Sequence, residues 1–233
     1  MPLDYDRYDV LTFDCYGTLI DWEAGLIAAL RETLLPAASI GDDALLETFA
    51  RYESAAQLPF QPYRGVLADS LRAVAHDLGV AVSADAVARF AASVRDWPPF
   101  LDSAEALARL AKRFRLGVIT NCDTDLFAAS NQRLGVAFDW VITAEMAGSY
   151  KPDHNNFLRA FAAIPVPRAR ILHVAQSLFH DHVPAKDLGL DTVWIDRRHD
   201  RAGFGATPAA TVTPDARFTS MRAFADAASP PSS

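Results

Sequence analysis

About a hundred residues separate two short strand-like runs, Tyr8 to Asp14 and Leu116 to Thr120, where the crossover between neighbouring parallel strands needs far fewer. The first run, YDVLTFD, is apolar and partly β-branched and has no helical period. It opens directly on Cys15-Tyr16-Gly17-Thr18, so it reads as a buried strand ending in a turn. Similar runs recur at Trp140 to Thr143, Ile171 to Ala175 and Thr192 to Ile195, with a helical pattern in each gap. Strand alternating with helix predicts an α/β protein with a doubly wound parallel sheet, and the long first gap predicts an insertion. The insertion is helical in pattern throughout. Leu26, Ile27, Leu30 and Leu34 mark one apolar face, Leu45, Leu46, Phe49 and Tyr52 a second. Val66, Leu67, Leu71, Val74 and Leu78 mark a third, and Val87, Phe90, Val94 and Trp97 a fourth. Gly79 and Ser83 bracket a break between the last two helices, and Trp97-Pro98-Pro99 closes the insertion. Ser103 is placed to cap the helix before the second strand, and Gly135 and Gly189 follow the helices closing at Leu134 and Leu188. The organisation so read is a core of residues 1–19 and 100–228, a helical-bundle cap of residues 20–99 and a frayed, disordered tail of residues 229–233. A loop from Arg201 to Pro214 precedes a last short strand and helix.

A chain of 233 residues that is 51% hydrophobic and 22% charged can build a sizeable core and is no low-complexity sequence. Acidic residues outnumber basic ones, 29 to 22, and the net charge of −7 argues against a nucleic-acid partner. Two cysteines, Cys15 and Cys122, exclude a disulfide scaffold and fit a reducing compartment. The acidic start MPLDYDRYDV has no basic region leading into an apolar stretch, and no run of about 18 apolar residues occurs. The expectation is a cytoplasmic protein with no membrane partner.

In an open parallel sheet ligands sit outside the carboxyl ends of the strands, so the residues just after each strand are the candidates for chemistry. Asp14 ends the first strand, and Thr120 and Asn121 end the second. Lys151 follows the third by a short loop, while Gln176, Ser177 and Asp181 follow the fourth. Singly, an Asp after a strand is as often a turn former or helix cap, and Thr-Asn is ordinary turn chemistry. Together they place four segments around one crevice.

Phe-Asp14-Cys15-Tyr16-Gly17-Thr18-Leu resembles the first motif of the haloacid dehalogenase superfamily, Thr120-Asn121 its second and Lys151-Pro152-Asp153 its third. The segment from Ile171 to Gly189 resembles the fourth. The resemblance spans nearly the whole chain and implies a Rossmann-like core with the cap inserted after the first motif. Phosphatases of the superfamily carry Asp two residues after the nucleophile. Tyr16 at that position, followed by Gly-Thr, resembles the L-2-haloacid dehalogenase branch. The chemistry agrees: a phosphatase expels a strongly basic alkoxide and needs an acid beside it plus Mg²⁺, whereas halide is already a weak base. A phenol with an apolar body then shapes a drier pocket.

The resemblance implies that Asp14 is the nucleophile, forming an ester that water cleaves, and that Lys151 pairs with it and holds it ionised. Only three lysines occur in the chain, Lys112, Lys151 and Lys186. Cys15, Tyr16, Thr18, Thr120 and Asn121 are the expected substrate-binding residues, with the two threonine hydroxyls as donors and the Asn121 amide orienting a carboxylate. The fourth motif departs from the pattern. The dehalogenases show Ser-x-Asn before the Asp, but here the stretch is Val174-Ala-Gln176-Ser177-Leu-Phe-His180-Asp181-His182, with one extra residue. Asp181 matches the last acid, to activate water or buttress Lys151, unless it only caps the following helix. Gln176 or Ser177 replaces the missing amide, and spacing does not choose between them.

His180-Asp181-His182 invites a metal reading, but two His one residue apart at a helix start point in different directions. No cofactor is expected; Mg²⁺ between Asp14 and Asp181 belongs to the phosphatase alternative. Thiol nucleophiles at Cys15 or Cys122 lack a partner His, and both read as buried structural residues. The dehalogenases place a halide-binding arginine just before the second cap helix, but Ser39-Ile-Gly-Asp-Asp43 contains none. Arg51 and Arg64 are the candidates to take its place, with Gln61, Tyr63 and Trp22 as neutral donors. The expected activity is hydrolysis of short 2-haloalkanoic acids. A Mg²⁺-dependent phosphoester hydrolase and a non-enzymatic partner-binding protein are the alternatives, and a homodimer through the cap helices is what the resemblance implies.

Overall fold

Four consecutive buried residues, Val10–Phe13, form the first strand, β1, and their side chains alternate between two cores. Leu11 and Phe13 face one apolar cluster and Val10 the other. The strand is shorter than the predicted run because Tyr8 closes a 3₁₀ turn over Tyr5–Arg7. The computed structural model describes residues 3–34, 40–200 and 207–229; residues 201–206 of the predicted loop and the predicted tail beyond 229 lie outside the described residues.

Five further strands join β1: β2 (Arg115–Thr120), β3 (Trp140–Thr143), β4 (Ile171–Ala175), β5 (Asp191–Ile195) and β6 (Ala216–Phe218). All pairings are parallel, in the order β3-β2-β1-β4-β5-β6. The chain winds outward from β1 to β3 and returns on the other side of β1 as β4. The carboxyl ends of β1 and β4 therefore border the point where winding reverses, the place such sheets use for ligands. On one face pack α5 (Ser103–Leu110), α6 (Thr124–Leu134) and α10 (Met221–Ala228), on the other α8 (His154–Ala163) and α9 (Val183–Asp187); a one-turn helix, α7 (Ala144–Ala147), follows β3.

The predicted insertion holds α1 (Trp22–Thr33), α2 (Asp42–Ala56), α3 (Tyr63–Asp77) and α4 (Ala84–Ala92). Its two ends meet, since Ile20 and Pro99 form an antiparallel bridge and Asp21 N donates to Pro98 O at 2.8 Å. Ser83, expected to mark the break before the fourth helix, caps α4, its Oγ accepting from Ala86 N. Ser103 does not cap α5. It is the first residue of that helix, and its buried hydroxyl donates instead to Leu19 O at 2.8 Å, tying the helix to the loop after β1. The N-terminus of α3 follows Pro62 and has no cap from its own segment. Asp123, from the loop after β2, supplies it: Tyr63 N donates to Asp123 Oδ1 at 2.6 Å and Arg64 N to Oδ2 at 3.0 Å. Gly25 on α1 lies so close to Trp97 that a Cβ would stand 2.3 Å from its Cγ, so only glycine fits there.

Candidate active site

Asp14 leaves the end of β1 with its N–H still bonded to Val174 O, at 3.1 Å. The next residues turn back at once: Cys15 O accepts from Thr18 N, Leu19 N and Ile20 N, and Gly17 takes φ 92°, a conformation that favours glycine. The turn brings Thr18 under the carboxylate, where its Oγ1 donates to Asp14 Oδ2 at 2.6 Å and accepts from Gln176 N at 2.9 Å.

Lys151 is fully buried, and its ammonium is spent on three acceptors: Asp14 Oδ1 at 2.8 Å, Asp181 Oδ1 at 2.6 Å and Ile119 O at 2.8 Å. Asn121 fixes the lysine's backbone from both sides, accepting from Lys151 N at 2.7 Å and donating to Lys151 O at 3.0 Å. Its amide thus positions Lys151, a use that competes with the expected grip on a substrate carboxylate.

Asp181 reaches this cluster through a π-helical turn, Leu178–His182, in which His182 N donates to Ser177 O. Such a turn holds one residue more than an α turn of the same reach. The extra residue in the fourth motif is absorbed there, and Asp181 still points at Lys151. It does not cap α9. Behind it, His173 Nε2 lies 3.1 Å from Asp181 Oδ1, while Asp181 Oδ2 is buried with no hydrogen-bond partner among the described residues.

Two carboxylates share one ammonium, and they divide it unequally. Burial raises the Asp14 carboxyl above its ordinary value, against the pull of Lys151 and Thr18. Burial also works against ionised Asp181, but Lys151 and His173 together outweigh it and hold that carboxyl below the usual range. Lys151 does pull the Asp14 carboxyl down, as expected, but burial is the larger effect and leaves it raised. Burial pushes the Cys122 thiol up to about 12 and Cys15 well above its ordinary value, so neither is a thiolate near neutrality.

A cavity of about 160 Å³ opens over these groups, lined by Asp14, Tyr16, Asn121, Lys151, Gln176, Ser177 and Asp181 from the predicted set. Tyr16 presents its ring; its hydroxyl is turned away to Ser130 Oγ at 2.9 Å, and Trp97 packs edge-on against it. Ser177 Oγ is committed to the turn, accepting from His180 N at 2.9 Å, whereas the Gln176 side-chain amide has no hydrogen-bond partner among the described residues. Cys15, Thr18 and Thr120 are fully buried beneath the cavity and do not line it. Thr18 orients Asp14 rather than a substrate. His180 and His182 diverge as expected, His182 Nε2 pairing with Ala175 O and His180 Nδ1 with Ser177 Oγ, and burial lowers both to about 4. No group of three His, Cys, Asp or Glu suited to a metal occurs among the described residues.

Neither Arg51 nor Arg64 comes to the cavity. Arg51 is held at the surface by Asp77, and Arg64 forms a fork with Asp125 at 2.7 and 2.5 Å, so both cations are committed to carboxylates elsewhere. The arginines that do line it are Arg197 and Arg198, which follow β5 after Asp196. Arg197 bonds Thr18 O and Asp102 and stacks on Phe100; Arg198 pairs with Glu23 on α1. The strand-end rule that pointed to Asp14 would also have found this pair. Glu53 on α2 and Gln57, the residue that closes that helix, form part of the opposite wall, and no sequence signal distinguishes them.

Residues 8–178 match the haloacid dehalogenase-like hydrolase family. The chain is 26% identical over 203 residues to an (S)-2-haloacid dehalogenase of Pseudomonas putida, covering 81% of this chain and 85% of that one. In three dimensions it resembles the L-2-haloacid dehalogenase of Xanthobacter autotrophicus with chloropropionic acid covalently bound, with a TM-score of 0.76 at 20% identity over 95% of this chain and 97% of that one. It resembles as closely the magnesium-bound HAD-hydrolase YfnB of Bacillus subtilis, with a TM-score of 0.77 at 19% identity over 94% and 97%. Likeness of fold alone therefore does not separate an L-2-haloacid dehalogenase from a magnesium-bound HAD-hydrolase.

Proposed function

The chain belongs to the haloacid dehalogenase-like hydrolases, and from that premise we propose that it is a hydrolytic dehalogenase of short 2-haloalkanoic acids. The observation that carries this reading is Tyr16. Beside the carboxylate of Asp14, where a phosphoester hydrolase needs an acid to protonate an alkoxide, the cavity has an aromatic wall whose hydroxyl is bound elsewhere. The curated relatives named (S)-2-haloacid dehalogenase support the same choice and favour the (S) enantiomer.

In this reading an Asp14 oxygen attacks C2 of the substrate in line, and halide leaves with the electrons of its bond to carbon. Water then attacks Cγ of the resulting ester and gives a proton to Asp181. The Cγ–O bond breaks, the departing oxygen takes that proton from Asp181 and leaves as the hydroxyl of a 2-hydroxy acid, and Asp14 gives the water's second proton to solvent and is a carboxylate again. Gln176, whose amide has no partner among the described residues, takes the place of the missing fourth-motif amide, and Arg198, which lines the cavity while its Nη1 is held by Glu23, is the cation nearest to hand for the substrate carboxylate or the halide. The reading uses no Mg²⁺: Lys151 Nζ, bonded to both Asp14 and Asp181, supplies the positive charge between them. Residues 20–99 act as the cap over the cavity. The same reading makes the protein cytoplasmic and a homodimer through its cap helices, for which exposed Leu58 and Phe60 between α2 and α3 provide apolar surface.

The experiment is a comparison of halide release from (S)- and (R)-2-chloropropionate with phosphate release from small phosphoesters, each with and without EDTA. Halide release that persists in EDTA is expected. Phosphate release that EDTA abolishes and Mg²⁺ restores would overturn the reading.

A further inference from the structure

Thr12 on β1 and His173 on β4 are paired in the sheet register, and both side chains are buried. They hydrogen-bond to each other, Thr12 Oγ1 to His173 Nδ1 at 3.0 Å. The other ring nitrogen, Nε2, is 3.1 Å from Asp181 Oδ1, the same oxygen that accepts from Lys151. Phe157 packs edge-on against the ring at 5.0 Å and fixes its plane. An ionised carboxylate only accepts hydrogen bonds, so Nε2 carries a proton, and in the neutral ring Nδ1 accepts from the Thr12 hydroxyl. The Asp181 carboxylate is therefore held at Oδ1 by two donors on rigid elements, a lysine and a strand histidine. Its second oxygen, Oδ2, is left buried and, among the described residues, unpartnered, in a residue that lines the cavity. A buried carboxylate oxygen without a donor is costly, so it marks a position that a polar hydrogen is meant to fill.

From these contacts we infer that His173 is a positioning residue for the second half of the reaction, aiming Asp181 Oδ2 at the water that cleaves the Asp14 ester. The inference rests on the dehalogenase reading and deepens it. Through the cycle His173 keeps its Nε2 proton, and the proton that moves passes from the water to Asp181 Oδ2 and then to the departing product oxygen. The first half, displacement of halide by Asp14, uses Lys151 and Thr18 and does not require Oδ2 to be aimed. The roles of His173 and of the nucleophile are thus separable in time.

The test is rapid-mixing halide release from (S)-2-chloropropionate with the intact protein mass followed in parallel. His173→Phe should release about one halide per site in a burst at the wild-type rate and then turn over about 10²-fold more slowly, with the ester accumulating on Asp14. His173→Gln keeps a donor and should recover part of the steady rate. Thr12→Val leaves the ring in place but removes its orienting hydroxyl, so it should show the same burst with a smaller loss even if His173→Phe folds poorly. If burst and steady rates fall together in Thr12→Val and His173→Gln, or neither changes, His173 is only a core residue and the inference is overturned. Absence of halide release by the unaltered protein would overturn the dehalogenase reading, and this inference with it.

Discussion

Lys151 Nζ stands 2.8 Å from Asp14 Oδ1, although 137 residues separate the two in the chain and both are buried. Among the described residues the ammonium is the one positive charge in contact with this nucleophile candidate, and it serves Asp181 as well. Lys151→Met should leave two buried carboxylates without a counter-ion, costing about 3–5 kcal/mol of stability at neutral pH. The sign of the pH dependence follows from Asp14, whose folded-state pKa is raised. Its favourable contribution is complete below the ordinary carboxylate range and is lost as pH rises through the raised value. Urea unfolding of Lys151→Met should therefore recover stability on acidification to pH 5. A midpoint that matches the wild type at pH 8 would contradict the pairing.

Tyr16 contributes its ring to the cavity and its hydroxyl to Ser130. Tyr16→Phe should keep halide release within a few-fold of wild type while losing about 1 kcal/mol of stability from the broken buried hydrogen bond. Tyr16→Ala should lose much of the activity, because water enters around Asp14. A hundredfold drop in Tyr16→Phe, measured as kcat, would mean that the hydroxyl itself acts on the substrate.

Glu53 faces the cavity from α2, accepting from Tyr63 Oη at 2.6 Å, and burial raises its carboxyl to about 7 despite that bond. Arg197, Arg198 and Lys151 are the cations around the same cavity, and Asp14, Asp21, Glu23 and Asp181 the other carboxylates, so ionisation of Glu53 adds one more negative charge. KM for a 2-haloalkanoate anion should rise several-fold between roughly pH 6 and 8 with little change in kcat, and Glu53→Gln should flatten that rise. The folded state favours protonated Glu53, so its contribution to stability is present below the ordinary Glu range and is lost as pH rises through about 7. Glu53→Gln should accordingly gain stability relative to wild type at pH 8 but not at pH 4. A pH-independent difference in either measurement would contradict this.

The sheet and its strand-end residues were legible because strand, turn and helix are local patterns. Asp14, Asn121, Lys151 and Asp181 each follow a short apolar run, and a parallel sheet brings such positions to one edge. What depends on packing across the insertion was not legible. Asp123 looks like a turn residue after the second motif, yet it caps a helix some sixty residues earlier in the chain, at Tyr63 and Arg64. Arg51 and Arg64 have the right charge on the right helices, but their facing is decided by Asp77 and Asp125. The π turn at Leu178–His182 hides in a one-residue mismatch, which spacing alone reads as a departure from the motif rather than as an absorbed insertion. His173 sits inside a strand run, where a histidine carries no motif signal.

The account's central claim is that Asp14 becomes esterified, and one isotope measurement tests it directly. Enzyme in excess over (S)-2-chloropropionate is run through a single turnover in ¹⁸O-water, and both the Asp14 peptide and the 2-hydroxy acid are weighed by mass spectrometry. The account predicts label in the Asp14 carboxylate and unlabelled product, because the product oxygen comes from Asp14 and the water oxygen stays behind. Label in the first-turnover product with none in Asp14 would show that water attacks the substrate itself, and the covalent mechanism would be wrong.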